Sequence, residues 1–377
     1  MNETLAQRVV RWQREHGRHD LPWQNTRDPY RVWLSEIMLQ QTQVSTVLDY
    51  FDRFLARFPD VAALAAAEQD EVLGLWSGLG YYSRARNLHA CARQVVELHG
   101  GAFPRSAEVL TTLPGIGRST AAAIASFCFE ERVAILDGNV KRVLTRALGF
   151  GDDLAVAAHE RRLWDLATAL LPEAPAGGSD AGRSPDMPAY TQGLMDLGAT
   201  VCLARSPACP RCPLASRCRA LAEGDPLAYP VRTRKLKRSQ REHWWLWLQS
   251  GDAIWLEQRA DTGVWAGLWT LPLYEDVATL RAATEALPGP GLTGGGAALS
   301  LRAAEPGLPG DLPPQVETLP DVHHVLTHFD WLLHPRRLQL PPGMAAQGAP
   351  LGRPGRWVRR QELADLALPA PLRKLLA

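Results

Sequence analysis

Hydrophobic positions along the first 170 residues recur at the three- and four-residue spacing of amphipathic helices. The stretch DPYRVWLSEIMLQQT begins with Asp28 as an expected N-cap, followed by Pro29 at the first helical position. The stretch VSTVLDYFDRFLARF repeats the helical spacing until Pro59 stops it. Strand-like alternation is almost absent from this part of the chain. The pattern therefore predicts an all-α N-terminal region.

The pattern changes to β character from residue 243. The stretch HWWLWLQSGDAIWLEQR contains two strand-like runs around Gly251-Asp252, which predicts a hairpin. The stretch HHVLTHFDWLLHPRRLQL predicts a second pair of strands. Residues 283–318 are rich in Ala, Gly and Pro and predict no element. We therefore expect an α+β domain at 243–377.

Two segments have the composition of a loop or a linker. Residues 173–189 are rich in Pro and Gly and predict a surface loop. Residues 226–242 are expected to link the two regions, because Arg232 to Arg241 contains basic residues at most positions and no acid. Such a linker is either a solvated spacer or a spacer that also contacts phosphates.

Composition limits the classes of protein that the chain can represent. Its 377 residues suffice for two or three domains, and 46% of them are hydrophobic. A formal net charge of +1 implies that any nucleic-acid surface is a local patch. The N-terminus has no apolar signal region, and no apolar run approaches the roughly 20 residues that span a bilayer. We expect a cytoplasmic protein with no membrane association.

Four of the six cysteines share one short segment, and they are Cys202, Cys209, Cys212 and Cys218. A reducing compartment makes disulfides a poor explanation and favours a bound metal. Zinc sites commonly pair two C-x2-C turns, whereas this segment has one such pair and uneven outer spacings. The spacing suits a [4Fe-4S] cluster better, with zinc and free thiols as the alternatives. Cys91 and Cys128 lie in apolar helical stretches and are expected in the core.

A glycine-rich turn, LPGIG, precedes a helix that begins at Arg118. Gly115 and Gly117 allow positive φ angles and close approach of the backbone, and the helix N-terminus offers free N–H groups to a phosphate. The turn is therefore either a DNA-binding hairpin or an ordinary helix connection. Asp137, about 20 residues later, begins another helix as an N-cap or as part of a site.

Glu36 is the candidate partner of Asp137. On a helix its neighbours three and four positions away are Val32, Trp33, Leu39 and Gln40, which form a largely apolar face. A carboxyl group on such a face has a raised pKa and retains its proton near neutral pH. The alternative is a glutamate paired with a nearby arginine.

These motifs resemble one family. LPGIG, LDGNV and the four-cysteine segment are similar to the helix-hairpin-helix glycosylase superfamily of base-excision repair. LPW, VWLSEIMLQQTQV, WSGLGYYSRARNLH and GLMDLGA resemble its adenine DNA glycosylases of MutY type. The resemblance covers nearly all of residues 1–225, and 243–377 resembles the family's Nudix-like domain. It implies a mainly α catalytic region of two helical subdomains, with a [4Fe-4S] loop at 202–218, plus an α+β Nudix-like domain.

The resemblance implies a monomeric enzyme, near the nucleoid, that excises adenine mispaired with 8-oxoguanine or guanine in double-stranded DNA. The adenine is flipped into a pocket, and its glycosidic bond is hydrolysed with acid assistance. Glu36 matches the general acid and base that protonates adenine N7 and manages the water. Asp137 matches the ionised carboxylate that stabilises the cationic sugar. The four cysteines match the ligands of the cluster, whose loop presents basic side chains to phosphates.

The resemblance also assigns binding residues. Those expected around the extruded adenine are Trp23, Ser119, Gln192 and Asp196. Those expected to contact DNA are Gln41, Tyr82, Gly115, Gly117, Arg118 and Lys141. Gln41 and Tyr82 match residues that insert into the base stack, while Trp23 could equally be a core residue.

Ser119 departs from a sister group, the endonuclease III-like lyases, which have a lysine in this place. A serine hydroxyl cannot form the imine that leads to strand cleavage, so a monofunctional enzyme is expected. Lys141, one turn after Asp137, is the amine left for minor imine trapping. The competing hypotheses are a bifunctional lyase acting on oxidised pyrimidines and a non-catalytic DNA-binding or redox-sensing protein.

The C-terminal domain is expected to read 8-oxoguanine. The family uses a Phe-Ser-His loop, and this chain has Leu326-Thr327-His328 in its place. The hydroxyl and the imidazole are retained but the ring is lost, so the degree of preference for 8-oxoguanine over guanine stays open. No helix carries the Arg-Glu pair and acids of a Nudix hydrolase, which predicts a binding module.

Overall fold

The computed structural model of the protein describes residues 3–174, 182–233, 238–287, 315–346 and 348–377. Parts of the predicted loop 173–189, the predicted linker 226–242 and the segment 283–318 lie outside the described residues. The helices in the described part are α1 (Leu5–His16), α2 (Pro29–Leu39), α3 (Val44–Arg57), α4 (Val61–Ala66), α5 (Gln69–Leu75), α6 (Ser83–His99), α7 (Ala107–Leu110), α8 (Arg118–Phe129), α9 (Gly138–Leu148), α10 (Ala157–Ala169), α11 (Met187–Asp196), α12 (Arg219–Ala222), α13 (Val277–Glu285) and α14 (Ala370–Leu376). The strands are β1 (Ser239–Ser250), β2 (Ala253–Gln258), β3 (Trp269–Thr270), β4 (Leu273–Tyr274), β5 (Val316–Thr318), β6 (Val322–Val325), β7 (Phe329–Leu340) and β8 (Arg356–Arg359).

The chain divides into two compact units. The first unit combines Met1–Ala67 with Arg84–Lys235, and the second combines Glu68–Ser83 with Leu236–Ala377. The described elements of the first unit are helical, whereas all the strands named above belong to the second. The predicted fold class, an all-α region followed by an α+β domain, is confirmed. No helix in the described part of the chain is both long and apolar enough to span a bilayer.

Local sequence sets the starts of the helices that carry the two candidate carboxylates. Asp28 caps α2 by accepting a hydrogen bond from the Tyr30 N–H at 3.0 Å, and Pro29 occupies the first turn, as predicted. Asp137 caps α9 and accepts a hydrogen bond from the Val140 N–H at 2.7 Å. These caps bring Glu36 onto the third turn of α2 and keep Asp137 at the very start of α9.

A hydrophobic core fixes the helices of the first unit relative to one another. It includes buried residues of α1, α8, α9, α10 and α11, among them Val9, Ala122, Leu144, Leu163 and Leu194. Full burial of one such side chain is worth about 1.5–3 kcal/mol. This core holds α9, whose N-cap is the candidate carboxylate Asp137.

The second unit is built around one mixed sheet with the strand order β3-β2-β1-β7-β5. The long strands β1 and β7 run parallel, from Ser239 opposite Phe329 to Ser250 opposite Leu340. The predicted hairpin at Gly251-Asp252 is present, with β1 and β2 antiparallel and Gly251 at a φ of 62°. The predicted pair of strands in 323–340 is present as β6 and β7.

Both ends of the predicted linker 226–242 belong to defined structural elements. A 3-10 turn covers Pro226–Ala228, and the Val231 carbonyl accepts a hydrogen bond from the Leu154 N–H at 3.1 Å. At the other end β1 already begins at Ser239. The sequence pattern missed these contacts because their partners are distant along the chain.

The second unit also takes a segment, Glu68–Ser83, from within the predicted catalytic region 1–225. The Asp70 carboxylate accepts hydrogen bonds at 3.1 Å from Gln258 and from the Trp269 indole, which attaches α5 to the strands. The Tyr82 hydroxyl donates to the Leu368 carbonyl at 3.3 Å. These long-range contacts hold Glu68–Ser83 against the rest of the second unit, and the predicted division into domains at 1–225 and 243–377 stays a prediction.

Candidate active site

Two cavities of the first unit meet at Glu36. The smaller has a volume of about 400 Å³ and the larger about 940 Å³. Glu36, Leu39 and Met195 line both of them. Asp137 lines only the larger cavity. The two carboxylates that the sequence singled out, 101 positions apart in the chain, therefore face one continuous site.

Glu36 is half-buried on α2 among the apolar side chains of Val32, Trp33 and Leu39. Burial raises the pKa of this carboxyl to about 8, and the negative charge of Asp137 raises it further in the same direction. The direction is the one expected from its apolar helix face. Glu36 accordingly holds a proton at neutral pH.

Asp137 combines the two roles that the sequence left open. Its carboxylate caps α9, and it also faces the larger cavity. Burial raises its pKa, while hydrogen bonds from the Val140 and Asn139 N–H groups and the positive charge of Arg142 act in the opposite direction. The surroundings of Asp137 thus contain groups that favour its charged form, which the surroundings of Glu36 do not.

The smaller cavity has an aromatic wall and a polar wall. Trp23 lines it and is 7% exposed, with its ring in edge contact with Phe51 at a centroid distance of 5.2 Å. Gln192 of α11 lines the polar side. Trp23 is therefore a core residue and a cavity residue at once.

Asp196 does not line either cavity, although the sequence expectation put it beside the adenine. Its side chain is fully buried and accepts hydrogen bonds from the Arg18 guanidinium at 2.7 Å and from the Gln192 amide at 2.9 Å. Both donors line the smaller cavity. Asp196 thus orients the side chains that face the cavity.

The larger cavity holds Ser119 and Gln41 as well as the two carboxylates. Ser119 lies in the first turn of α8 and belongs to this cavity, not to the smaller one. Gln41 is exposed and has a φ of 58°, in the left-handed region that non-glycine residues rarely adopt. Such a conformation persists only where neighbouring groups impose it.

Arg84 is the group that imposes it, and the sequence assigned this residue no role. Its buried guanidinium donates hydrogen bonds to the carbonyls of Ile37, Met38 and Gln40 at 2.7–2.9 Å. It also donates to the Thr42 hydroxyl at 3.1 Å. These bonds satisfy the last carbonyls of α2 and present Gln41 to the cavity. The detectable signal was an arginine on a helix face that is otherwise apolar except for His89.

The glycine-rich turn has the geometry of a backbone surface open to a ligand. Gly115 has a φ of 75°, and a Cβ placed on it would lie 2.7 Å from the Asn87 side chain. A Cβ on Gly117 would meet only open space. The exposed Arg118 guanidinium stacks on the Trp164 ring at 3.9 Å from its centroid, which holds the first cation of α8 in place.

Two predicted DNA contacts are engaged within the protein. Lys141 forms an ion pair with Glu160 at 2.5 Å and lines neither cavity. Tyr82 is 8% exposed and its hydroxyl donates to the Leu368 carbonyl, and its insertion into DNA stays a prediction. Its neighbour Tyr81 is 45% exposed, with a φ of 49°. The dipeptide alone could not reveal which tyrosine faces outwards.

All four cysteines of the 202–218 segment line one small cavity, with no carboxylate among its lining residues. Arg146 lines the same cavity and donates a hydrogen bond to the Cys202 sulfur at 3.3 Å. Four cysteine thiolates are the ligands of an iron–sulfur cluster, and Arg146 places a positive charge beside them, so the donor set fits that group. Among the described residues, no group of three or more His, Cys, Asp or Glu side chains is arranged to hold a metal ion directly.

Two arginines of α9 connect the cysteine segment with the larger cavity. Arg142 donates to the Cys202 carbonyl at 2.7 Å and to the Asn139 side chain at 2.9 Å. Arg146, 2% exposed, donates to the Leu203 carbonyl at 2.7 Å. Both arginines also line the larger cavity. The sequence did not identify them, because a basic residue on a helix ordinarily faces solvent.

The Leu326-Thr327-His328 segment forms the turn between β6 and β7 in the second unit. The Leu326 N–H donates to the Phe329 carbonyl at 3.0 Å, and Thr327 and His328 are exposed at the tip. The Thr327 hydroxyl is hydrogen-bonded to the Tyr81 hydroxyl at 2.9 Å. The turn is thus short and exposed, with a hydroxyl and an imidazole at its end.

Sequence comparisons match both parts of the chain. The family model described as HhH-GPD superfamily base excision DNA repair protein matches residues 34–168. The model described as NUDIX domain matches residues 243–377. The two matches agree with the helical first unit and with the sheet of the second.

The similar proteins in other organisms are adenine DNA glycosylases. The adenine DNA glycosylase of Buchnera aphidicola subsp. Acyrthosiphon pisum is 37% identical over 272 residues, covering 72% of this chain and 75% of the relative. That of Mus musculus is 46% identical over 215 residues, covering 55% of this chain and 40% of the relative. Among solved structures, a thermostable thymine-DNA glycosylase is 28% identical with a TM-score of 0.49 and covers 58% of this chain and 95% of its own.

Proposed function

The chain belongs to the adenine DNA glycosylase family of base-excision repair, and we propose that it excises adenine mispaired with 8-oxoguanine or guanine in double-stranded DNA. The observation that carries this proposal is the position of Glu36, whose pKa burial raises to about 8, at the junction of two cavities, one of which also contains Asp137. An acid and a second carboxylate at one site suit hydrolysis of a glycosidic bond through a cationic sugar.

The smaller cavity suits the extruded base. The adenine enters it from the larger cavity, where the duplex and the sugar lie, because a base in the stack is out of reach of the acid. Trp23 offers an aromatic edge, and Gln192, oriented by the buried Asp196, offers an amide to the base edge. Closing water out of this cavity strengthens each of these polar contacts.

Glu36 performs the acid step. Its proton is transferred to N7 of the adenine, which turns the base into a neutral leaving group, and the glycosidic electron pair leaves with the base. The resulting Glu36 carboxylate then accepts a proton from the water that attacks C1′. A pKa near 8 in the free protein keeps the acid form dominant at neutral pH.

Asp137 acts on the sugar. Its charge lies on the larger cavity, where positive charge develops on the sugar as the base departs. Ser119 lines the same cavity and carries a hydroxyl, which cannot form an imine with C1′. Lys141 is engaged by Glu160. The reaction therefore ends at an abasic site with both DNA strands intact.

The remaining surfaces hold the DNA. Gly117 and the start of α8 accept a phosphate, and Gln41 projects from its strained turn beside the flipped nucleotide. Exposed arginines on the cysteine segment, Arg205, Arg211 and Arg217, contact neighbouring phosphates. Arg219 contributes less, because Glu223 pairs with it at 3.1 Å.

The four cysteines would hold a [4Fe-4S] cluster, and the turn at Leu326-Thr327-His328 would read 8-oxoguanine on the opposite strand. The cluster, when bound, cross-links the four thiolates and thereby fixes the loop that carries the arginines. Arg142 and Arg146 tie this loop to α9, whose first residue follows Asp137. In this proposal the cluster has a structural role in DNA binding.

The test is single-turnover base release from a duplex with adenine opposite 8-oxoguanine, with half of each sample treated with alkali. We expect cleavage of the strand only after alkali. Glu36→Gln and Asp137→Asn should bind the duplex with unchanged Kd and release adenine at least about a thousandfold more slowly. Strand cleavage without alkali would indicate a lyase, and full activity of both variants would refute the acid assignment.

A further inference from the structure

The base of the Leu326-Thr327-His328 turn is held by a residue from the start of the sheet. Arg238 immediately precedes β1, and β1 runs parallel to β7 with Ser239 opposite Phe329. This register places Arg238 beside the turn. Its guanidinium donates a hydrogen bond to the Leu326 carbonyl at 3.0 Å and a second one to the Asp330 carboxylate.

The two acceptors lie on opposite arms of the turn. Leu326 precedes the tip and Asp330 follows it, so one planar guanidinium bridges the two strands at the point where the tip emerges. Both bonds come from one nitrogen, Nη2, whose two N–H groups point in fixed directions in the plane of the guanidinium. A third bond, from the Ser239 N–H to the His328 carbonyl at 3.4 Å, adds to the same contact.

The exposure of the Arg238–Asp330 ion pair limits what it can contribute to the stability of the domain. The side chains of Arg238 and Asp330 are 44% and 45% exposed. An ion pair in that environment adds little to the stability of a domain. Its consequence is therefore local, in the conformation of the two strands that carry Thr327 and His328.

We propose that Arg238, held by Asp330, is a positioning residue for recognition of the base opposite the adenine. It fixes the turn in the geometry that distinguishes 8-oxoguanine from guanine. This inference rests on the proposed role of the turn in reading that base. The other role open to a basic residue at the end of the linker is direct contact with a DNA phosphate.

The two roles predict opposite effects of removing Asp330. If Arg238 positions the turn, Asp330→Asn disturbs the same contact and acts like Arg238→Gln. If Arg238 binds a phosphate, Asp330→Asn releases a cation and strengthens DNA binding. A phosphate contact carries no information about the base, so it affects both mispairs equally and contributes about one unit to the salt slope of binding.

The experiment measures single-turnover rate constants at sub-saturating enzyme for adenine opposite 8-oxoguanine and opposite guanine, together with duplex affinity at several salt concentrations. The proteins are the wild type, Arg238→Gln, Asp330→Asn, the double variant, and His328→Ala. Arg337→Gln is the matched control, because Arg337 forms a similar exposed pair with Glu317 at 2.6 Å on the same sheet and away from the turn.

We expect Arg238→Gln and Asp330→Asn each to lower the 8-oxoguanine-to-guanine rate ratio by about three- to tenfold, the loss of one well-placed hydrogen bond. The double variant should lose no more than either single variant, and the salt slope and the Arg337→Gln ratio should match the wild type. Equal weakening of both mispairs with a smaller salt slope for Arg238→Gln would overturn the inference in favour of a phosphate contact.

Two other outcomes separate this inference from the proposed function. If His328→Ala lowers the ratio and both Arg238→Gln and Asp330→Asn leave it unchanged, the turn reads the base and Arg238 does not position it. If none of the variants changes the ratio, the turn has no reading role and the inference falls with it. Base release opposite guanine would then still test the catalytic proposal by itself.

Discussion

Replacing Glu36 with glutamine should stabilise the folded protein. The gain should appear only above pH 4.5, where glutamate is ionised in the unfolded chain. Burial raises the pKa of Glu36 from its ordinary value of 4.5 to about 8. Below pH 4.5 the carboxyl is protonated in both the folded and unfolded states, so glutamine and glutamate are nearly equivalent. Between those two values the unfolded chain releases a proton that the folded protein retains, and the free energy of unfolding falls as pH rises. Above about pH 8 the folded protein contains a buried carboxylate that the variant lacks.

The magnitude follows from the size of the shift. A pKa raised by that amount corresponds to about 5 kcal/mol. Glu36 is half-buried and opens onto two cavities, so water solvates part of the charge. We therefore expect the variant to gain about 2–3 kcal/mol at pH 9 and almost nothing at pH 4.5.

Thermal unfolding of the cluster-containing protein measures this difference. For a unit of about 200 residues, 1 kcal/mol moves Tm by about 2–4 °C, so Glu36→Gln should exceed the wild type by about 5–10 °C at pH 9. Glu97→Gln, on the exposed face of α6, controls for the exchange of a carboxyl for an amide. A Tm difference that does not grow between pH 5 and pH 9 would refute a raised pKa, and with it the reason for treating Glu36 as the acid.

Three further predictions follow from the same geometry. Single-turnover base release should be highest below pH 8 and fall by about tenfold per pH unit above the pKa of Glu36; a rate that stays level to pH 9.5 would contradict the acid role. Ser119→Lys should place an amine on the cavity of Asp137 and produce strand cleavage without alkali, trapped by borohydride, while the wild type gives none. Gly117→Ala should leave Tm unchanged and weaken duplex binding by about tenfold, because the new methyl group meets only the incoming backbone of the DNA. Gly115→Ala should instead lower Tm, because its φ is 75° and Asn87 lies in the way; equal loss of Tm in both variants would refute the distinction.

Features governed by local chemistry were predictable from the sequence. Asp28 and Pro29 begin α2, and Asp137 begins α9, because capping depends on residues within one turn of each other. The hairpin at Gly251-Asp252 follows from a turn that needs a positive φ. The fold class follows in the same way, since helical and strand periodicities are local patterns.

Features governed by contacts across the chain were not predictable. Which of the tyrosines 81 and 82 is exposed depends on a φ angle of 49° and on contacts with residues nearly 300 positions away. The assignment of Glu68–Ser83 to the second unit depends on Asp70 meeting strands of that unit. Burial of Arg84 and Arg146 depends on carbonyl groups at helix ends and in the cysteine segment, which only tertiary packing brings to them.

The chemical groups and their local settings could be identified from the sequence: a carboxylate on an apolar helix face, another at a helix start, four closely spaced thiols, and a glycine turn before a helix. Folding was needed to show that Glu36 and Asp137 face one site, that Asp196 supports Gln192 without lining the cavity, and that Arg238 bonds to the turn at Leu326. The reason is physical. A helix cap depends on residues within one turn, whereas a cavity, and the burial that raises the pKa of Glu36, arise only where segments distant in the chain pack together.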